Sequence, residues 1–140
     1  MSSQTLAIIK PDSVLKKNTG KIIDRILSVG FEIAAMEQKH LSKERAEAFY
    51  DIHRQRPFFH DLIAFMTSGP CVPMALRKSD AVSSFRKLIG ATDPDSAEAG
   101  TIRKEFAENV QNNAVHGSDS DENAAKEIVF FFPSLEITTD

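Results

Sequence analysis

Cysteine is nearly absent from this 140-residue chain, where Cys71 stands alone. A lone thiol excludes an intramolecular disulfide and any cysteine-rich zinc site. Long apolar runs are lacking too. The first, Leu6 to Ile9, follows the opening Met-Ser-Ser-Gln almost directly. It is too short for a signal-peptide core or a membrane span, so a cytoplasmic protein with no membrane partner is expected. An excess of basic charge is also missing. There are 17 Lys and Arg against 20 Asp and Glu, net −3, and the isoelectric point is near 5.8. A general nucleic-acid binder is not indicated, while a small basic cluster for an anionic ligand stays open. No fixed-period repeat or low-complexity tract is visible.

Familiar catalytic motifs are missing as well. Gly20-Lys21 is followed by Ile22 and has Leu15 where a phosphate-binding loop needs its first glycine. There is no G-x-G-x-x-G, G-x-S-x-G or H-E-x-x-H. The four histidines, His40, His53, His60 and His116, include no i, i+4 pair, which disfavours a transition-metal site made by protein alone.

What is present fits one globular domain over residues 1–140. Hydrophobic residues make up 41% and charged residues 26%, within the globular range. A chain of this length buries roughly 68–70% of its unfolded surface. Thr5 to Ile9 reads as a buried strand stopped by Pro11. Asn18-Thr19-Gly20 opens a helix with Ile22, Ile23, Ile26, Leu27 and Val29 as its apolar positions, and Gly30 closes it in a left-handed cap. Phe31 to Leu41 reads as a second strand. Ser42 caps a helix carrying Ala46, Phe49, Tyr50 and His53 on one face. A short helix follows Pro57, with Phe59, Leu62, Ile63 and Met66.

Cys71 to Leu76 reads as a third strand, although Pro73 belongs at an edge or a bulge. Asp80 caps a helix with Val82, Phe85 and Ile89 inward. Residues 90–100 form a loop, and Thr101 to Val110 a short helix. Ala114 to His116 reads as a brief final strand. Asp119 and Glu122 have capping-box spacing before a last helix to about Phe132, ended by Pro133. By itself this order suits helices covering one face of a small sheet.

The most informative segment is Asn113-Ala114-Val115-His116-Gly117-Ser118-Asp119. Gly117 would let a ligand approach the imidazole closely, and the helix start just after it favours anions. Glu127, about two turns into that helix, can reach back to orient one ring nitrogen. Such an imidazole is a usable nucleophile or base near neutral pH. A satisfied histidine at a strand end fits the same pattern. Lys10 ends the first strand and can offer a point charge to a phosphate; a solvated strand-end lysine is the plain alternative. Arg86 and Arg103 bracket the loop holding Thr92 and can converge on a polyanion, or be unrelated surface residues. Tyr50, Phe58 and Phe59 can stack on a base, or be core. Together these features support only a phosphate-handling α/β domain.

The segment from Asn113 to Asp119 resembles the N-x-x-H-G-S-D signature of nucleoside diphosphate kinases. Thr5 to Asp12, Arg56-Pro57-Phe58-Phe59, Phe65 to Pro70, Gly90-Ala91-Thr92, Gly100 to Arg103 and Glu127-Ile128 match that family in order. The likeness spans residues from about 4 to 132.

The resemblance implies an α+β, ferredoxin-like sandwich, a four-stranded antiparallel sheet with helices packed on its faces. It implies transfer of the γ-phosphate of a nucleoside triphosphate, usually ATP, to a nucleoside diphosphate by a ping-pong route. A phosphohistidine at Nδ1 of His116 carries the group. The resemblance makes Glu127 the partner of the other imidazole nitrogen, Tyr50 a support for Lys10 and His116, and Ser118 part of the catalytic set. Lys10, Arg86, Thr92, Arg103 and Asn113 hold phosphates and ribose. Phe58, Leu62 and Val110 line the base site, with Phe58 stacking on the base. Mg²⁺ arrives with the nucleotide, and Asp119 meets it through water.

The implied partners are ATP and other nucleoside di- and triphosphates, and no specific nucleic acid. The short stretch after Pro133 favours a tetrameric homo-oligomer, with a dimer or hexamer as the alternatives. A catalytically weak nucleotide-binding regulatory module of the same fold is the second reading; the presence of His116, Lys10, Arg103 and Asn113 speaks against it. The chain departs from the usual family pattern at Arg77-Lys78-Ser79-Asp80, at Asp93, at Ala99 and at Pro73, none of them a proposed phosphate ligand.

Overall fold

The computed structural model describes residues 3–135. Its strands are β1 (Gln4–Ile9), β2 (Glu32–Met36), β3 (Val72–Arg77) and β4 (Val115–Gly117). The helices are α1 (Pro11–Leu15), α2 (Thr19–Ser28), α3 (Lys43–Phe49), α4 (Phe59–Met66), α5 (Ala81–Ile89), α6 (Ile102–Phe106) and α7 (Asp121–Phe131). A 3₁₀ turn at Asp51–His53 follows α3. The strands form one antiparallel sheet in the order β2-β3-β1-β4, the ferredoxin-like arrangement. The part of the tail beyond residue 135 lies outside the described residues.

Helices cover both faces of the sheet, not one as element order alone suggested. The reason lies in β1, which is buried at all its positions. Ala7 and Ile9 join a cluster with Ile22 and Ile26 of α2 and Phe85 and Ile89 of α5. Leu6 and Ile8 join a second cluster with Ala46 of α3, Ile63 of α4 and Ile128 of α7. A strand sandwiched this way reads as a continuous apolar run. Each fully buried Leu or Ile contributes about 1.5–3 kcal/mol.

Several local expectations need correction. Pro11 does not merely stop β1; it occupies the first turn of α1, where its missing N–H is no loss. β2 ends at Met36, and Lys39 then makes an isolated bridge to Cys71. Pro73 sits inside the central strand β3, opposite Ile8. Its carbonyl accepts from the Glu37 N–H at 3.2 Å. A strand residue's N–H and C=O point the same way, so the missing donor faces β2 just past its end.

Ser42 caps α3 as expected, accepting from the Arg45 N–H. Gly30 follows α2 at φ 96°. Asp80 precedes α5 in a left-handed conformation with no side-chain cap bond. The cap of α7 is Ser120, which accepts from the Asn123 N–H. Asp119 instead accepts from Nδ2 of Asn123 at 2.6 Å. The predicted helix over 101–110 shrinks to α6, capped by Thr101, and Val110 falls in the loop that follows.

Candidate active site

β1 and β4 lie side by side, with Ile8 opposite His116. The chain leaves β1 at Lys10 and enters β4 after Asn113, so these segments meet at one end of the paired strands. They are stitched by backbone: the Lys10 N–H donates to the Ala114 carbonyl at 2.8 Å, and the Ala114 N–H donates to Oδ2 of Asp12 at 3.2 Å. Ala114 sits at φ 74°, and the Val115 N–H donates to the Asn113 carbonyl at 2.9 Å. That is a γ-turn with positive φ at a non-glycine residue, a strained form. The strain falls two residues before His116.

Three groups hold the imidazole. Oε1 of Glu127, on α7, lies 2.9 Å from Nε2 of His116. A carboxylate accepts, so Nε2 carries the proton and Nδ1 keeps its lone pair. The Ser118 hydroxyl donates to the same Oε1 at 2.7 Å and accepts from the Leu6 N–H at 3.1 Å, which ties Glu127 to β1. The Phe49 ring packs edge-on against the imidazole, 5.5 Å between centroids.

Gly117 has a role other than admitting a ligand. A Cβ there would meet the Phe85 ring at 2.8 Å and Ile89 at 3.1 Å. The missing side chain lets α5 seat against β4 behind the imidazole.

The cations form the floor. Lys10 is buried, and its Nζ donates to Oδ1 of Asn113 at 2.8 Å. Burial, with Arg103 nearby, pushes its pKa down to about 8, although Asp12 opposes the shift. Arg103 is also buried and donates to the carbonyls of Gly90 (3.0 Å) and Val115 (2.9 Å). Burial, reinforced by Arg86, lowers its pKa to about 10. Buried cations with lowered pKa values are characteristic of sites that receive an anion.

These residues line a cleft of about 810 Å³. All the predicted ligand residues reach it: Lys10, Tyr50, Phe58, Leu62, Arg86, Thr92, Arg103, Val110, Asn113, His116, Asp119 and Glu127. Ser118 is buried behind it. Phe58 is 49% exposed and Val110 55%, so these apolar side chains stand at the open part of the cleft while Lys10 and Arg103 are buried in it. Tyr50 is buried, and its hydroxyl has no hydrogen-bond partner among the described residues.

Phe49, Ile52, His53, Gln111, Asn123 and Lys126 also line the cleft and were missed from sequence. Asn123 was recoverable, because it lies four positions before Glu127 on the same face of α7; Lys126, the residue next to Glu127, had no such signal. His53 follows Tyr50 by one turn. Gln111 carries no such signal. Among the described residues, no three His, Cys, Asp or Glu side chains come together to hold a metal ion.

A family model described as nucleoside diphosphate kinase matches residues 3–137. The chain is 58% identical over 137 residues to a nucleoside diphosphate kinase of Helicobacter pylori strain Shi470, covering 98% of this chain and all of that protein. It is 52% identical to that of Salinibacter ruber over 139 residues, 99% of this chain and 98% of that protein. A solved structure of the Aquifex aeolicus nucleoside diphosphate kinase superimposes with a TM-score of 0.93 at 43% identity, covering 97% of this chain and 99% of that one. The apo enzyme of Encephalitozoon cuniculi gives 0.93 at 34%, with coverage of 99% and 95%. The family model and these relatives match the chain over nearly its whole length, and the chain belongs to the nucleoside diphosphate kinase family.

Proposed function

We propose that this chain transfers the γ-phosphoryl group of a nucleoside triphosphate, usually ATP, to a nucleoside diphosphate by way of His116. The observation that carries the reading is the His116–Glu127 pair. With Nε2 proton-bonded to a carboxylate, Nδ1 is left as the nucleophile. In the first half-reaction the Nδ1 lone pair attacks the γ-phosphorus, the bond to the β,γ-bridging oxygen breaks, and the nucleoside diphosphate leaves. In the second, a terminal oxygen of another diphosphate attacks the same phosphorus and the P–N bond breaks. Glu127 balances the positive charge that the ring acquires in between.

Phosphoryl transfer depends on positioning and on neutralising developing charge. Lys10, Arg86 and Arg103 supply the charge, and Asn113 and Thr92 add polar contacts. The half-exposed Phe58 is a stacking platform, and stacking tolerates every base. Mg²⁺ would come as part of the nucleotide substrate, with Asp119 as the side chain that would meet it. The donor set fits this, since Asp119 is the acidic side chain of the cleft not engaged by His116. A carboxylate there suits contact through water, and the ion supplies further charge neutralisation. A homo-oligomer, tetrameric by preference, in the cytoplasm belongs to the same reading. Among the described residues no helix is long and apolar enough to cross a membrane.

The test is incubation with γ-labelled ATP and Mg²⁺. The expected product is a phosphoprotein that is labile in acid and stable in base. His116→Ala loses the label while nucleotide binding persists. Labelling of the alanine variant removes His116 as nucleophile.

A further inference from the structure

Gln111 is one of three neutral amide side chains that line the cleft, with Asn113 and Asn123, and it follows Val110 in the chain; Phe58 and Leu62 line the same cleft. The loop that carries Gln111 is closed on itself. Oδ1 of Asn109 accepts from the N–H groups of Gln111 (3.0 Å) and Asn112 (2.7 Å). The Asn112 carbonyl accepts from the Glu108 N–H at 2.8 Å. Ion pairing of Glu108 with Lys16 anchors the loop to the segment after α1. Val110 and Gln111 therefore stand at the tip of a braced turn. Gln111 is exposed, and its side-chain amide makes no hydrogen bond among the described residues.

We infer that Gln111 is a further base-contacting residue, whose amide hydrogen-bonds the polar edge of the base held at Phe58. The inference rests on the nucleotide reading given above. Phe58, Leu62 and Val110 offer the base only apolar surface, so they do not distinguish one base from another. Gln111 offers a carbonyl acceptor and an amine donor on one rotatable group. Adenine and cytosine present an exocyclic amine, guanine an oxygen with an amine, and uracil an oxygen. By turning over, the amide can meet each of them, which supports affinity while preserving breadth. A carboxylate at the same position only accepts. It favours bases that donate and repels those that lead with an oxygen.

The experiment uses the full chain, phosphorylated on His116 and isolated. Discharge to ADP, GDP, CDP and UDP is followed in single turnovers, giving kcat/KM for each acceptor. Gln111→Ala is expected to lower all four by about two- to tenfold, the loss of one neutral hydrogen bond. Gln111→Glu is expected to spread them, with ADP and CDP gaining on UDP by about threefold or more. The inference is overturned if Gln111→Ala leaves all four values unchanged, or if Gln111→Glu keeps their ratios. Failure of the wild-type chain to form the phosphoenzyme would instead overturn the underlying reading. The KM-against-kcat split adds a readout: loss of a base contact raises KM, whereas loop collapse that misplaces Asn113 lowers kcat.

Discussion

Ser118 donates its hydroxyl to Oε1 of Glu127 at 2.7 Å, and that same oxygen faces Nε2 of His116. The serine in turn accepts from the Leu6 N–H in the middle of β1. A chain of hydrogen bonds thus runs from the central strand to the proposed nucleophile. Its parts come from β1, the end of β4 and α7. Networks of this kind fix one tautomer and one ring orientation when every member is satisfied.

Glu127→Gln tests the carboxylate end of that chain. The amide keeps the shape but lacks the charge that balances the phosphorylated ring. Steady-state transfer is expected to fall about 10- to 100-fold in kcat, with KM nearly unchanged. A loss confined to KM would reassign Glu127 to nucleotide binding.

Ser118→Ala tests the other end. It leaves the buried Leu6 N–H without the Ser118 hydroxyl and frees Glu127 to rotate. Loss of a buried hydrogen-bond partner costs about 1–3 kcal/mol. Chemical denaturation is expected to show that drop, together with a smaller fall in kcat than Glu127→Gln. Unchanged stability would mean that the Leu6 N–H finds another acceptor.

Lys10 sets an alkaline limit. Its pKa is held down to about 8, chiefly by burial, so the ammonium is present below that pH and lost above it. The kcat/KM for the donor triphosphate reports groups of the free enzyme and is expected to fall as pH rises through about 8. Stability moves the opposite way. Between about 8 and the ordinary 10.5, the unfolded chain holds a proton that the folded chain has released. Unfolding free energy therefore gains from this group as pH rises through that window. Lys10→Met is expected to abolish both effects, and persistence of the alkaline fall in that variant would assign it elsewhere.

Gly117→Ala tests the packing behind the imidazole. The added methyl would sit 2.8 Å from the Phe85 ring. Overpacking of this kind costs about 1–3 kcal/mol and is expected to displace His116 from Glu127, lowering both Tm and kcat. Phe85→Leu in the same chain is expected to restore part of each. Full activity in the single variant would show that α5 yields without moving β4.

Much of this was legible in the residues. The apolar run Leu6 to Ile9 announced β1, because a strand covered on both faces needs no alternation. Ser42 and Gly30 marked their helix ends through cap chemistry that acts within a few residues. The signature from Asn113 to Asp119 pointed to His116 and, with Glu127, to its orientation. The errors were local competitions. Ser120 took the cap expected of Asp119, whose carboxylate bonds the Asn123 side chain instead. Pro73 entered a central strand because its missing donor points past the end of β2.

The residue pattern by itself determined the buried run of β1, the strand that carries His116 and the set of cations available to a phosphate. Tertiary structure decided which of them meet. Lys10 and Asn113 are 103 residues apart along the chain yet 2.8 Å apart in space. Burial then lowers the pKa values of Lys10 and Arg103, and whole-chain charge carries no record of that. The same closure gave Gly117 its purpose and brought Gln111 to the cleft. Periodicity and capping act over a few residues, whereas the site is built by pairing β1 with β4, a contact that only the folded sheet creates.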